Sequence, residues 1–366
     1  MRVFSRFVDH FGLRGEFPVL RTLAYLNAGT DGPLPGRAVR AAAEELEREA
    51  ATGRTFAHFE RRSELNGLLR GAYARALGAD PADVALTTCT SEGMAVVVAG
   101  LSLQAGDEIL TSDEEHPGLL GALAAARELR GVSIRQAPLP ELAEAVGPST
   151  RLVACSHVGW VSGLLAPAEL AELDVPVLLD GAQGVGAVPV DVRALGCAAY
   201  AGAGQKWCCG PDGTGMLFVT PDFRERIAVS RRGYANLADP NDGIDSRLHE
   251  DARRFDTMSL SAEAVACALA AIDLLEDFGW SSVHERAGTL AARLAEQLAA
   301  RGRAVAPRDD TTLVSFESAD VDAERTVLAE RGCVVRSIPG RPWLRASVGA
   351  WNDENDLERL LDSLAA

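Results

Sequence analysis

Lysine is nearly missing from this chain of 366 residues: Lys206 is the single lysine among 36 basic residues, and the others are arginine. Arginine serves surface charge and salt bridges as well as lysine does. It cannot serve as a deprotonated amine, because a guanidinium stays charged at any working pH. A lone surviving lysine is therefore a candidate Schiff-base nucleophile. Long apolar runs are also missing. The longest, Met94 to Leu101, is far too short to span a bilayer, and Met1 to Gly12 carries scattered charge rather than the apolar core of a signal peptide. Excess positive charge is missing too: net charge is −16 with a pI of about 4.9, which argues against nucleic acid and anionic membrane as partners. The seven cysteines lack disulfide or zinc spacing. Reduced thiols in a cytoplasmic protein are the simplest account of them.

What is present is an alternation of helix and strand. Residues 38–51 and 62–77 have helical spacing. Short apolar strands follow at Val84–Thr88, Glu108–Thr111, Ser133–Gln136, Leu152–Ser156 and Val177–Asp180, separated by helical stretches such as 117–130 and 167–173. Ala198–Gly202 and Gly215–Val219 read as further strands around Lys206. This order predicts βαβ units and a largely parallel sheet. After residue 255 two alanine-rich helices, 261–278 and 281–301, lead into strand Leu313–Glu317, helix 321–331, strands Val334–Ser337 and Trp343–Val348, and a last helix capped by Asn352. The expected organisation is a large domain over 26–255, with 1–25 and 256–366 forming a smaller α/β domain. Arg231 to Arg253 is the longest expected loop.

Four segments carry the chemistry. Thr87-Thr88-Cys89-Thr90-Ser91-Glu92-Gly93 follows a strand and opens an apolar helix, which makes an anion site suited to phosphate; the same pattern also serves as an ordinary N-cap. Glu114-Glu115-His116-Pro117-Gly118 puts an imidazole beyond the end of a strand, where open α/β sheets bind ligands. Val177-Leu178-Leu179-Asp180 ends an apolar strand in a carboxylate at the same rim, one that must be paired or ligated if buried. No second carboxylate or histidine stands near it in sequence, which disfavours metal. The fourth is the small-residue loop around Lys206. A phosphate cradle, a ring stacker, a carboxylate and one lysine at successive strand ends are the parts needed to bind pyridoxal phosphate (PLP).

In this order the segments resemble the class V aminotransferase family of fold-type I PLP enzymes, which includes cysteine desulfurases, cyst(e)ine lyases and isopenicillin N epimerase. The resemblance runs from Ala24-Tyr25-Leu26-Asn27-Ala28-Gly29 and Gly32-Pro33 through Glu115-His116-Pro117, Ser156-His157-Val158, Asp180-Gly181-Ala182-Gln183 and Gln205-Lys206 to Arg345-Ala346-Ser347 and Trp351-Asn352. It implies that Lys206 forms the Schiff base and moves protons at Cα, Asp180 pairs with the pyridine nitrogen, Gln183 bonds the ring hydroxyl and His116 stacks on the ring. It assigns the phosphate to Thr90, Ser91 and Glu92, mainly through backbone N–H groups, with Gln205 beside them. It gives the substrate carboxylate to Arg345 and places Asn27 and Trp160 in the substrate pocket. Ser259 matches a hydroxyl that reaches the neighbouring subunit's cofactor, which implies a homodimer; it also suits an N-cap for the helix near 261.

The chain departs from the family at three places. Gln205 stands where His is usual, Ala203 where Ser or Thr is usual, and Val161, after Trp160, where the lyase branch commonly has Asn. Between Arg336 and Arg345 there is no cysteine of the kind desulfurases use. Cys333 reads as a core residue, and Cys208 and Cys209 as packing under the lysine loop. The leading expectation is a carbon–sulfur β-lyase acting on cysteine or an S-substituted cysteine. The alternatives are an aminotransferase, an epimerase or oxidative deaminase, and a non-catalytic binding protein that keeps the fold.

Overall fold

The computed structural model describes residues 10–364, so the first nine residues of the expected N-terminal segment lie outside it. Its centre is a seven-stranded sheet in the spatial order Val84–Thr87, Gly215–Val219, Ala199–Ala203, Val177–Asp180, Thr150–Ser156, Glu108–Ser112, Ser133–Ala137. All neighbours are parallel except Gly215–Val219, which is antiparallel to both of its neighbours. Because that strand is flanked on both sides by reversed ones, Val84–Thr87 and Ala199–Ala203 point the same way. Their C-terminal ends therefore share one rim with those of the parallel strands.

The strands are buried on both faces, as a covered sheet requires, except the edge strand Ser133–Ala137, which is partly exposed. Alternate residues sort to opposite layers. Leu86, Leu110, Val153 and Leu179 join the core that contains Leu69 and Tyr73 of the helix Phe56–Leu77. Ala85, Ile109, Leu152 and Leu178 join the core built with Met94 and Val97 of the helix Thr90–Gly100 and Leu119 and Leu123 of the helix Pro117–Arg130.

A three-stranded antiparallel sheet, in the order Arg336–Ser337, Trp343–Ser347, Leu313–Glu317, forms with the helices Trp280–Ala300 and Glu354–Leu364 a core that includes Leu294, Phe316, Leu344 and Leu360. The expected strand Val334–Ser337 is in fact two. Cys333–Val334 pairs in parallel with Ala24–Tyr25, and Arg336–Ser337 pairs with Trp343–Ser347. Arg14 is held to the C-terminal part by Asp356 Oδ2 at 2.7 Å.

Several boundaries differ from expectation. The first two long helices start earlier, at Gly36 and Phe56. The stretch 167–173 makes only a 3-10 turn, Ala168–Glu172, behind Pro167. The last helix is capped by Asp353, whose Oδ1 accepts from the Asp356 N–H at 3.1 Å. Asn352 instead spends its amide on Gly349, Tyr25 and Asp356. Ser261, not Ser259, caps the helix Ala262–Phe278. The expected loop 231–253 contains two 3-10 segments, Tyr234–Asn236 and Pro240–Asp245, and is tied by a bridge between Leu237 and Leu248.

Candidate active site

The shared rim opens on a cavity of about 230 Å³ bordered by Thr90, Ser91, His116, Trp160, Asp180, Gln183, Gln205, Lys206 and Arg345. These nine sequence-predicted residues come from six separate stretches of chain. Each stretch but Arg345's continues beyond the end of a strand of the large sheet.

Lys206 follows Ala199–Ala203 in a tight turn. Its backbone oxygen accepts from the Cys209 N–H at 3.1 Å, and Cys209 takes a left-handed φ of 54° to make that turn. Gly32 closes over it, since a Cβ there would lie 2.0 Å from the Lys206 carbonyl oxygen. Lys206 is partly buried at the cavity wall, and burial lowers its pKa to about 8; Asp180 opposes the shift and Arg345 adds to it. Desolvation is thus the larger effect, and it brings the amine's titration close to the working pH range.

Asp180 is buried at the end of its strand. One oxygen accepts from the Ala182 N–H at 2.9 Å, and the other has no protein partner among the described residues. Burial raises the carboxyl pKa, while Lys206 and the Ala182 N–H pull it back. Gln183 is fixed without ambiguity. The Trp207 indole, which can only donate, gives Nε1–H to Oε1 at 3.0 Å; the Gly29 carbonyl, which can only accept, takes Nε2–H at 2.7 Å. One amide hydrogen is left for the cavity.

His116 caps the helix Pro117–Arg130 by accepting from the Gly118 N–H at Nδ1, 3.0 Å. Burial, then the nearby cations of Lys206, Arg336 and Arg345, lower its pKa to about 4. The ring is therefore neutral, and it meets Trp160 edge-on at 5.1 Å. Beneath it Glu115 is buried among Ser112 and Ser156, with its pKa raised to about 7 by burial.

Arg345 is 1% exposed and makes no ion pair among the described residues. Nη1 donates to the Trp160 carbonyl at 2.7 Å. Burial lowers its pKa to about 9. Its Nε has no partner, so the Nε–Nη2 edge is an open fork of the geometry that takes a carboxylate side-on. Arg336 stands directly opposite Arg345 in the antiparallel pair, on the same face, and also borders the cavity with Thr30, Asp31 and Cys89. Sequence reading missed these four. The signal for Arg336 was the strand pairing, which two residues of strand do not reveal.

Some predicted residues are elsewhere. The Glu92 carboxylate turns back to the Thr88 N–H at 2.6 Å and to Arg231 at 2.6 Å, leaving only its backbone N–H for an anion. Asn27 sits behind the cavity, bonding Thr30 through Oδ1. Ser259 borders a different groove, of about 1030 Å³, with Phe56 and Tyr234. His157 bonds Tyr200 at 3.1 Å and supports the Asp180 strand end without reaching the cavity. Cys208, Cys209 and Cys333 are buried in three separate cores, and burial raises all three thiol pKa values. Val161 is buried, with its carbonyl bonded by Ser315.

The donor set fits PLP. Three buried polar atoms of residues bordering the cavity lack partners: the Thr90 hydroxyl and Arg345 Nε, which can donate, and Gln205 Oε1, which can only accept. The helix Thr90–Gly100 has no side-chain cap, so its first N–H groups are open to an anion. Among the described residues no three His, Cys, Asp or Glu side chains converge to hold a metal, and no helix is long and apolar enough to cross a membrane.

The comparisons with known proteins agree with this geometry. The sequence pattern of the family described as Aminotransferase class-V matches residues 24–360. Isopenicillin N epimerase of Streptomyces clavuligerus is 30% identical over 96% of this chain and 97% of its own length. A probable cysteine desulfurase of Pseudomonas aeruginosa is 32% identical over 78% of each chain. Among solved structures, the complex of the cystine C-S lyase C-DES with its product cysteine persulfide superposes with a TM-score of 0.90 at 29% identity, covering 95% of this chain and 99% of that one. A C-DES mutant with glycine covalently linked to its PLP cofactor gives 0.91 at 29% identity, over 96% and 98%. The chain belongs to the class V aminotransferase family and has its fold-type I architecture.

Proposed function

We propose that this protein is a PLP-dependent carbon–sulfur β-lyase acting on cysteine or an S-substituted cysteine. PLP, when bound, supplies a sink for the electron pair left at the substrate Cα. Lys206 would supply the amine that links to it and that takes the Cα proton, and burial brings the pKa of that amine down to about 8. With PLP bound, Asp180 would offer its free oxygen to the ring nitrogen, Gln183 its spare N–H to the ring hydroxyl, and neutral His116 its ring face. The helix start at Thr90, Ser91 and Glu92 takes the phosphate. The open Nε–Nη2 edge of Arg345 receives the substrate carboxylate beside Trp160, with Arg336 next to it. The Cβ–S bond then breaks with its electron pair on sulfur, which leaves as thiolate, and the three-carbon remainder hydrolyses to pyruvate and ammonia.

One observation favours elimination over sulfur transfer to the protein. No thiol lies between Arg336 and Arg345, and Cys333 is buried in the C-terminal core away from the cavity. The segment that would carry an acceptor thiol of the desulfurase kind therefore has none, and Cys89, the cysteine that does border the cavity, stands at the helix start assigned to the phosphate. The experiment is a panel of cysteine and S-substituted cysteines with parallel assays of pyruvate and thiol. Equal release of both supports the reading; keto-acid-dependent turnover without thiol release identifies an aminotransferase instead, and exchange of the Cα proton alone an epimerase.

Residues 26–255 are read as the cofactor domain and the remainder as the smaller one. A cytoplasmic homodimer is the expected form. It is supported by the exposed Phe56 and Tyr234 beside Ser259, and gel filtration at micromolar concentration checks it.

A further inference from the structure

Seven free thiols are distributed unequally. Cys155, Cys197, Cys208, Cys209, Cys267 and Cys333 are buried, and only Cys89 is partly exposed. Cys89 borders the cavity and occupies the N-cap position of the eleven-residue helix Thr90–Gly100, in fully extended backbone. Its Sγ lies 3.8 Å from Thr88 Oγ1, and it makes no capping bond. Open N–H groups at a helix start attract an anionic ligand. One further observation points to an anion here: Thr90, 6% exposed, keeps its Oγ1 hydroxyl, which can donate, without a partner at the same cavity wall. A sulfur and an anionic ligand therefore share one helix end.

We infer that Cys89 is a modification site guarded by the cofactor's phosphate: its thiol reacts with small disulfides and alkylating agents when the helix start is free, and the adduct fills the space the phosphate needs. With a disulfide R–S–S–R the step balances without another reactant. The Cys89 thiolate attacks one sulfur, the new Sγ–S bond forms as the old S–S bond breaks, and the leaving thiolate takes a proton from water. Cys89 is oxidised to a mixed disulfide and one half of R–S–S–R is reduced. Excess thiol, which is the product class of the proposed reaction, reverses it. Loading of PLP then follows the thiol–disulfide balance around the protein. The inference rests on the PLP reading for the identity of the guard, but not for the reactivity of the thiol.

The test is iodoacetamide labelling of the full-length chain, followed by peptide mass mapping, in the PLP-free protein, the PLP-loaded protein, and the PLP-free protein with inorganic phosphate or with pyridoxal. Cys89 is expected to label at least about tenfold faster than any other cysteine, given its exposure and its helix start. PLP and inorganic phosphate slow it; pyridoxal, which lacks the phosphate, slows it far less. The Cys89→Ser variant loses the fast label. A different cysteine reacting first overturns the inference, as does protection by pyridoxal equal to that by phosphate. If the PLP reading itself fails, PLP gives no visible absorbance change while inorganic phosphate still protects Cys89, so the two failures are distinct.

Discussion

Removing the lysine charge should stabilise the cofactor-free protein. Burial holds the Lys206 amine at a pKa of about 8 against an ordinary value of 10.5. The folded state thus binds this proton less tightly than the unfolded chain does. Below pH 8 both states are protonated, and the fold carries the full cost of a buried ammonium. Above pH 10.5 both are neutral and the cost is gone. Two and a half pKa steps at 1.36 kcal/mol each make that cost roughly 3 kcal/mol. The Lys206→Met variant, similar in length and without charge, should therefore unfold later than the parent at pH 7. Unfolding entropy of about 2.1 cal/mol/K per residue over 366 residues converts 3 kcal/mol to roughly 4 °C. The difference should shrink steadily between pH 8 and pH 10.5. Thermal melts of both PLP-free proteins at pH 6, 7, 8, 9 and 10 measure it directly. Adding PLP should then stabilise the parent more than the variant, because only the parent has an amine to link to it. A variant less stable at every pH, or a gain that does not change with pH, would refute the desolvation argument.

Three more outcomes follow from the same geometry. Arg345→Ala should lower kcat/KM by a factor corresponding to about 2–5 kcal/mol, mostly through KM, and Arg345→Lys should not restore it, because an ammonium cannot present the Nε–Nη2 edge; full rescue by lysine would show that only charge matters. Ala203→Ser restores the hydroxyl this chain lacks at the cavity wall and should tighten PLP binding about tenfold by equilibrium dialysis; unchanged or weaker affinity would place the phosphate out of its reach. Cys333→Ala should cost about 1 kcal/mol of stability and leave thiol release within about twofold, since the residue is buried against Ser363; loss of thiol release would bring sulfur transfer back.

Much of the site was legible because most of its functional side chains, Arg345 excepted, stand at or beyond the end of a strand of the large sheet. Asp180 ends the run Val177–Leu179, and Lys206 and His116 come a few residues beyond theirs. A buried strand announces itself by composition, and the residue at its end then falls at the ligand-binding rim. Two-residue strands announce nothing. The pairing of Ala24–Tyr25 with Cys333–Val334 joins segments some three hundred positions apart, and the register that sets Arg336 beside Arg345 depends on a hairpin too short for periodicity. The early start of the helix Phe56–Leu77 was hidden for another reason: Phe56 and Phe59 face outward, at 76% and 52% exposure, so the first turns lack an inward apolar face.

Two of the three departures from family pattern, Ala203 and Gln205, gather in one place. Lys206, Asp180 and Gln183 keep both their residue types and a geometry suited to their assigned roles. Ala203 and Gln205, in contrast, border the cavity near the helix start, where Thr90 Oγ1 and Gln205 Oε1 are unpaired and Cys89 presents its thiol. An unpaired buried oxygen costs free energy until a donor reaches it. The Thr90 hydroxyl can donate to a phosphate oxygen, whereas the Gln205 carbonyl oxygen only accepts and needs a water or another donor. On the proposed reading, the chain departs from the family pattern at the phosphate end more than at the amine. On that argument, exchanging Ala203 and Gln205 together for Ser and His should change the affinity for PLP and its pH dependence before it changes which amino acid is cleaved.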